Sequence, residues 1–290
     1  MVHVATPPDS DPSTPRLMCP PGSVDTHFHL FGPAADYPFV PDTPYVTGDA
    51  LPESLIAMHD RIGISRGVIV NGGAYGRDTR QLVNTLKRFP ERFRGIAVPS
   101  DDMTVEEMQP LDALGVRGIR FIGDAGGRHV AHILPDVAAR AAEFGWHVQF
   151  MPQQGNLPDH MDRLLALPNP IVLDHFGMAI TELGTDQPAF RDVLRLLDTG
   201  RVWVKLSGPM YCSQLEFPYP DMQPFADILV RHAPERLLWG SDWPHLHMGN
   251  RSMPNDGALL DVLLDWVPDE ETRRMVLVTN AAALYDFPPV

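Results

Sequence analysis

Two histidines separated by one residue, His27 and His29, are the first residues in this sequence that could do chemistry. They lie in the apolar run VDTHFHL, which is typical of a β-strand. Because alternate side chains of a strand share a face, both imidazoles point the same way. Such a pair can bind a metal, polarise a carbonyl group or move protons. The alternative is a hydrogen-bonded pair in the core, but the glycine-proline loop that follows favours a functional site.

Two later apolar runs also end in polar residues. His175 follows the apolar residues of IVLDHFG, and Asp242 follows those of LLWGSDWPH. A carboxylate beside histidines can act as general base on water or as a metal ligand. The alternatives are a surface histidine after a turn and a turn-forming aspartate before Pro244. We predict that His27, His29, His175 and Asp242 together form a catalytic site.

Five further residues are candidates for binding a substrate. Arg120 lies near the end of the run VRGIRF and could hold a carboxylate through two parallel hydrogen bonds, or pair with a covering helix instead. Lys205, in VWVKLSG, could anchor an anion or extend to solvent. Tyr45, Tyr75 and Arg77 follow the first two predicted strands and are candidates because of their loop positions alone.

The elements that must position these residues alternate along the chain. Short apolar runs alternate with helical patterns, which predicts a parallel sheet covered by helices. Eight runs favour a closed (β/α)₈ TIM barrel over an open doubly wound sheet, and no G-x-G-x-x-G follows the first run. The segment 31–52 is expected to form a long loop at the catalytic end. The predicted strands are Ser23–Leu30, Gly67–Val70, Gly95–Val98, Val116–Phe121, His147–Phe150, Ile171–Leu173, Val202–Leu206 and Leu237–Gly240. The predicted helices include Thr79–Phe89, Pro135–Phe144, Phe190–Leu197 and, as one helix or two, Asp269–Leu284.

Length and charge narrow the class of protein. The 290 residues slightly exceed the roughly 250 that one such barrel needs. With 23 basic and 37 acidic residues, the net charge of −14 disfavours binding to nucleic acid or anionic membranes. We predict a Pro-rich N-terminal extended tail over residues 1–21 and a barrel over 22–290. The tail lacks the features of a secretion signal, and no apolar run is long enough to span a membrane. Because the chain also has only two cysteines, we expect a cytoplasmic location.

These phrases together resemble the amidohydrolase superfamily, in its amidohydrolase-related (amidohydrolase 2) branch. The similarity covers Gly22–Phe287 through VDTHFHLFGP, GVRGIRF, WHVQFM, IVLDHFG, VWVKLSG, LLWGSDWPH and TNAAALYDF. Among its members, 2-pyrone-4,6-dicarboxylate lactonases and sugar-acid lactone enzymes have similar motifs. The resemblance implies a (β/α)₈ fold and lactone hydrolysis at His27, His29, His175 and Asp242.

The sequence departs from the family pattern at two places. Metal-dependent members carry a histidine at the end of the fifth strand, where this chain has Met151. We therefore expect no metal, with zinc on His27, His29 and Asp242 as the alternative. The pyrone lactonases also carry an arginine after the seventh strand, where this chain has SGPMY, so their substrate is not expected here.

The resulting hypothesis is hydrolysis of a carboxylated lactone, either one that is similar to 2-pyrone-4,6-dicarboxylate or a sugar-acid lactone. Asp242 would take a proton from water and later protonate the leaving oxygen, while the three histidines polarise the ring carbonyl. Arg120, with Lys205 and Tyr45, would orient the carboxylate. The alternatives are a zinc-dependent hydrolase or decarboxylase of the same superfamily, and a non-catalytic barrel that binds a small molecule. The sequence does not determine the oligomeric state.

Overall fold

The computed structural model describes residues 3–43, 45–123 and 134–289. Within them, eight parallel strands form a barrel-like sheet in the order β10-β9-β8-β7-β6-β5-β4-β2. Two further strands, β1 and β3, form a small parallel pair outside this sheet. The strands are β1 (His3–Val4), β2 (Val24–Phe28), β3 (Tyr45–Val46), β4 (Arg66–Val70), β5 (Phe93–Ala97), β6 (Val116–Ile122), β7 (His147–Met151), β8 (Ile171–Leu173), β9 (Val202–Leu206) and β10 (Leu237–Trp239).

Helices cover the sheet between successive strands, and their apolar faces are buried against it. One example of local stabilisation is the capping box at the start of α3, where Thr104 and Glu107 each bond to the other's backbone amide. The helices are α1 (Pro52–Ile62), α2 (Arg80–Arg88), α3 (Val105–Ala113), α4 (Pro135–Ala142), α5 (Met161–Ala166), α6 (Pro188–Leu197), α7 (Gln223–His232), α8 (Asp256–Asp261), α9 (Leu263–Trp266), α10 (Glu270–Arg274) and α11 (Asn280–Tyr285), with a π-helical turn, Met275–Thr279, between the last two.

The predicted (β/α)₈ fold is confirmed. Every barrel strand begins and ends within two residues of its predicted position. The long terminal helix predicted for 269–284 is found as α10, the π-turn and α11 in direct succession. The strand positions could be predicted because strands buried on both faces leave continuous apolar runs in the sequence.

The N-terminal tail lies along the body in its described part, from residue 3 onward. β1 pairs with β3, Ser13 donates two hydrogen bonds to Asn255, and Arg16 forms an ion pair with Asp261. Met1, Val2, Pro44 and Val290, which belong to the predicted tail, long loop and barrel ranges, lie outside the described residues. The division into a tail of residues 1–21 and a barrel of 22–290 stays a prediction. Among the described helices, none is long and apolar enough to cross a membrane.

Candidate active site

The site lies at the seam where the last barrel segment meets β2. The Asp242 amide donates a 2.8 Å hydrogen bond to the His27 carbonyl, and the His29 amide donates one of 2.8 Å to the Trp243 carbonyl. Gly240 permits this approach, since a Cβ there would lie 2.7 Å from the Cβ of His27. The seam therefore joins the first and last predicted catalytic segments.

His27 is fully buried, and its two ring nitrogens have different surroundings. Nδ1 lies 3.1 Å from Asp174 Oδ1 and 3.2 Å from Lys205 Nζ. Nε2 lies 3.6 Å from Asp242 Oδ1 and has no hydrogen-bond partner among the described residues. Burial, helped by the Lys205 charge and opposed by Asp174, holds the pKa of His27 well below its usual value. In the tautomer with its hydrogen on Nδ1, the neutral ring donates a hydrogen bond to Asp174 and carries its lone pair on Nε2.

His29 has its tautomer fixed by the backbone. Its Nδ1 lies 2.8 Å from the Val70 carbonyl oxygen, which can only accept, so Nδ1 carries the proton. Burial is the main cause that lowers the pKa of His29 to about 4, followed by the charge of Arg120. Near neutral pH, His29 is therefore a neutral ring whose Nε2 can accept a hydrogen bond.

His175 lies in a strained turn directly after β8. The φ angles of His175, Phe176 and Met178 are 50°, 54° and 55°, in the left-handed region that side chains other than glycine rarely adopt. Such strain clusters at functional sites. The ring fits closely against Gly208, where a Cβ would lie 2.5 Å from Nδ1. His175 Nδ1 shares a 3.0 Å hydrogen bond with the Ser207 hydroxyl, and burial lowers its pKa.

Asp242 also has left-handed backbone, with a φ of 64°. Its Oδ2 accepts a 2.6 Å hydrogen bond from the Tyr211 hydroxyl. Its Oδ1 lies 3.6 Å from His27 Nε2 and 3.8 Å from His175 Nε2, beyond hydrogen-bond distance. One carboxylate oxygen is thus held in place, and the other faces a gap between two imidazoles.

A second buried carboxylate, Asp174, lies behind the imidazoles. Its Oδ2 accepts hydrogen bonds from Arg120 Nε at 3.0 Å and from Gln149 Nε2 at 3.1 Å. Its Oδ1 lies 3.5 Å from Lys205 Nζ. Burial alone would raise the pKa of Asp174, but His27, Lys205 and Arg120 together hold it well below its usual value. Asp174 is therefore an ionised anchor that orients both a catalytic candidate and a binding candidate.

A cavity of about 350 Å³ contains this chemistry. His29, His175 and Asp242 line it, together with Arg120 and Tyr45. A larger cleft of about 780 Å³ lies elsewhere on the surface, but it holds none of the four predicted catalytic residues. We take the smaller cavity as the candidate active site because the perturbed side chains converge there.

The five predicted binding residues divide between the cavity and other places. Arg120 and Tyr45 line the cavity. Arg120 faces inward, whereas Arg117 on the same strand pairs with Asp112 and Asp286 outside the barrel, because strand residues three apart face opposite sides.

The other three lie elsewhere. Lys205 is fully buried and is bonded to Gln149 Oε1 at 2.8 Å, so it supports the site from behind. Tyr75 packs against Phe31, and its hydroxyl accepts a hydrogen bond from the Gly32 amide. Arg77 is 57% exposed, pairs with Asp101 and lines the larger cleft, so its loop position did not bring it to the candidate site.

Among the described residues, one group of side chains could hold a metal ion. Ligand atoms of His27, His175 and Asp242 all lie within 4.8 Å of one another, and His27 Nε2 has no hydrogen-bond partner there. This set differs from the predicted zinc ligands, since His175 takes the place of His29. His29 is not part of this group, although its Nδ1 bond to Val70 leaves its Nε2 free. Two imidazoles and a carboxylate suit zinc with a fourth position open.

Sequence reasoning missed several residues that complete the site. Asp174 was visible only as a polar residue at a strand end, and Gln149 as a polar side chain within a buried strand. Ser207 and Tyr211 gave no signal, because their partners His175 and Asp242 are distant in the sequence.

The similarity to known proteins extends over nearly the whole chain. The amidohydrolase family model matches residues 24–287. The chain is 34% identical to a 2-pyrone-4,6-dicarboxylate hydrolase of Comamonas testosteroni, over 95% of this chain and 94% of that protein. It is 35% identical to a 4-sulfomuconolactone hydrolase of Rhizobium radiobacter, over 92% and 90%. A solved apo structure from Agrobacterium tumefaciens superimposes with a TM-score of 0.87 at 32% identity, over 96% and 100%. On this evidence the chain belongs to the amidohydrolase family.

Proposed function

We propose that this enzyme opens a carboxylated lactone by attack of water on the ring carbonyl. One observation carries the proposal: the free oxygen of Asp242 faces two imidazole nitrogens in a cavity that also contains the Arg120 guanidinium. The hydrolases of Comamonas and Rhizobium described above are named for lactones with acidic substituents, which supports the same class of substrate.

The first step is activation of water by Asp242. The gap between Asp242 Oδ1 and His27 Nε2, 3.6 Å wide, brings together two hydrogen-bond acceptors. A water molecule beside both can donate one hydrogen to each. As its oxygen forms the new bond to the lactone carbon, its proton passes to Asp242. Tyr211 holds the other oxygen of the carboxylate during this transfer.

The carbonyl oxygen needs a hydrogen-bond donor, and His175 is suited to this role. With the Ser207 hydroxyl donating to Nδ1, the proton of neutral His175 lies on Nε2, on the cavity side. One preorganised donor to a developing oxyanion is worth about 3 kcal/mol. The sequence suggested that all three histidines polarise the carbonyl. The contacts of His27 and His29 instead favour accepting roles, in which they orient the water.

The ring then opens and the proton returns. The bond between the carbonyl carbon and the ring oxygen breaks, and Asp242 gives its proton to the leaving oxygen. Arg120 holds the substrate carboxylate in this proposal, and Tyr45 forms part of the wall. Lys205 contributes indirectly, because it neutralises Asp174 and helps keep His27 neutral.

A zinc-dependent hydrolase is the second candidate, favoured by the unpartnered Nε2 of His27 within the group His27, His175 and Asp242. Bound zinc would supply Lewis-acid polarisation of a carbonyl and would lower the pKa of a coordinated water. In that case Asp174 would fix His27 as a ligand through its Nδ1 hydrogen bond.

The test is hydrolysis of a panel of carboxylated lactones, monitored through the acid that ring opening releases. The metal content is measured on the same sample. We expect turnover that Asp242→Asn abolishes and that Asp60→Asn, a control at an exposed ion pair, retains. Turnover that survives removal of all metal supports the first mechanism, and activity that returns only with zinc supports the second. Saturable binding without turnover of any lactone would instead indicate a non-catalytic barrel.

The cytoplasmic location stays a prediction. Cys19 and Cys212 are both unpaired, which suits a reducing compartment. That a small molecule is the partner, rather than nucleic acid or a membrane, also stays a prediction that rests on net charge and cavity size.

A further inference from the structure

We infer that the preferred substrate is a lactone with one carboxylate whose remaining substituents are small and apolar. The inference rests on the proposed lactone hydrolysis and specifies its substrate. It follows from which polar groups in the described lining of the cavity are free to meet a substrate.

The described lining of the cavity offers one guanidinium or ammonium group, that of Arg120. Its Nε is already bonded to Asp174 at 3.0 Å, and its Nη2 lies 3.3 Å from Met151 Sδ. The remaining donors can satisfy one carboxylate. Lys205 cannot serve a second one, because its ammonium is buried among Asp174, Gln149 and His27.

Four apolar side chains also line the described part of the cavity. Ile122, Met151, Met178 and Leu246 line the cavity with apolar side chains. Burying a second carboxylate or several hydroxyls against them would leave those groups without hydrogen-bond partners, which is costly.

The two phenols of the wall do not change this balance. The Tyr45 hydroxyl accepts a hydrogen bond from the Ala74 amide, and the Tyr211 hydroxyl donates to Asp242. Tyr211 therefore has no hydrogen left for a substrate, and Tyr45 keeps its own hydrogen as one donor, which is too few for a second carboxylate. Of the other polar side chains that line the cavity, Gln153 is partly exposed and His247 is exposed, so both keep contact with solvent.

The volume points to a small substrate. A cavity of about 350 Å³ is at the lower end of the range for ligand pockets, roughly 300–1,000 Å³. It suits a single five- or six-membered lactone ring with its carboxylate and a short alkyl group.

The experiment compares three lactones with the same 2-pyrone-6-carboxylate ring, which carry a methyl group, a second carboxylate or a hydroxymethyl group at position 4. Each kcat/KM is divided by the rate constant of alkaline hydrolysis, so that intrinsic reactivity cancels. We expect the methyl compound to exceed both others by about tenfold or more. An equal or higher value for the dicarboxylate or the hydroxylated compound would overturn the inference and leave lactone hydrolysis intact. Absence of hydrolysis of all three, and of the wider lactone panel, by folded protein would overturn the proposed function as well.

A variant that should favour the dicarboxylate tests the same inference. Ile122 lies two residues beyond Arg120 in β6, on the same face, so Ile122→Lys adds a second cation to the wall. We expect the ratio of dicarboxylate to methyl kcat/KM to rise about tenfold. Leu183→Lys, at an exposed position, is the matched control and should leave the ratio unchanged. If the ratio in Ile122→Lys stays at the wild-type value while the protein remains folded, the inference fails.

Discussion

Two buried carboxylates lie close to the barrel seam, and their hydrogen bonds differ sharply. Asp25 Oδ1 accepts from the amides of His27 at 3.1 Å and Ser241 at 2.9 Å. Its Oδ2 accepts from the Ser241 hydroxyl and lies 3.1 Å from His59 Nε2. Among the described residues, the Asp242 carboxylate has one hydrogen-bond donor, the Tyr211 hydroxyl on Oδ2, and its Oδ1 faces the cavity.

The difference separates a structural carboxylate from one available for chemistry. Each carboxylate oxygen of Asp25 faces two protein groups, so Asp25 links β2 to the segment after β10. It has little remaining capacity to accept a hydrogen bond from a substrate. Asp242 keeps one oxygen open beside two neutral imidazoles, where it can take a proton. Ser241, which bonds to Asp25, directly precedes Asp242. The hydrogen bonds of Asp25 therefore help to position Asp242.

The largest expected effect concerns Asp242. Asp242→Asn keeps the shape of the side chain but removes the base, so we expect kcat to fall about a thousandfold. The free energy of unfolding, measured by urea denaturation, should change little. Near-normal turnover in a folded variant would contradict the assignment of Asp242 as base.

The second effect concerns Asp25, where we expect a loss of stability and not primarily a loss of turnover. Asp25→Asn replaces acceptors with an amide donor next to the Ser241 amide and leaves buried donors unpaired. We expect the free energy of unfolding to fall by about 3–5 kcal/mol, as when one partner of a buried charged network is removed. If stability were unchanged and only kcat fell, Asp25 would belong with the chemistry rather than with the fold.

The third effect tests the one donor that Asp242 has. Tyr211→Phe removes the 2.6 Å hydrogen bond and keeps the ring against His175. A hydrogen bond to a charged group is worth about 1.5–3 kcal/mol, so we expect kcat/KM to fall at least about tenfold. Steady-state kinetics measures this, and an unchanged value would show that the Asp242 carboxylate does not depend on Tyr211 for its position.

The smallest effect concerns a third buried carboxylate, Asp256, whose Oδ1 lies 3.1 Å from His245 Nε2. Burial alone would lower the pKa of His245, but Asp256 and nearby carboxylates raise it above its usual value. Because the folded pKa is the higher one, the charged pair stabilises the fold fully below the unfolded pKa of about 6.5, and this contribution is lost as pH rises through the folded pKa.

Asp256→Asn should therefore lower the free energy of unfolding more at pH 5.5 than at pH 9. Urea denaturation of both proteins at both pH values measures the difference. An equal loss at the two pH values would show that His245 does not gain charge from this partner.

The sequence by itself determined the strand positions, the parallel barrel and the common direction of His27 and His29. It also made Arg120 a candidate for binding a substrate, with an ion pair to a covering helix as the alternative. These features depend on local periodicity, because burial on both faces of a strand and the alternation of its side chains are visible in a few consecutive residues.

Only the tertiary structure decided which atoms meet. The barrel seam brings Asp242 to His27, the left-handed turn after β8 directs His175 to the same gap, and Asp174 collects Arg120, Lys205 and His27. The fold likewise placed Tyr75 and Arg77 away from the cavity, although their loop positions suggested otherwise. Partners that are far apart in sequence leave no local pattern, because each contact depends on barrel closure and on the tautomer that a neighbouring group imposes.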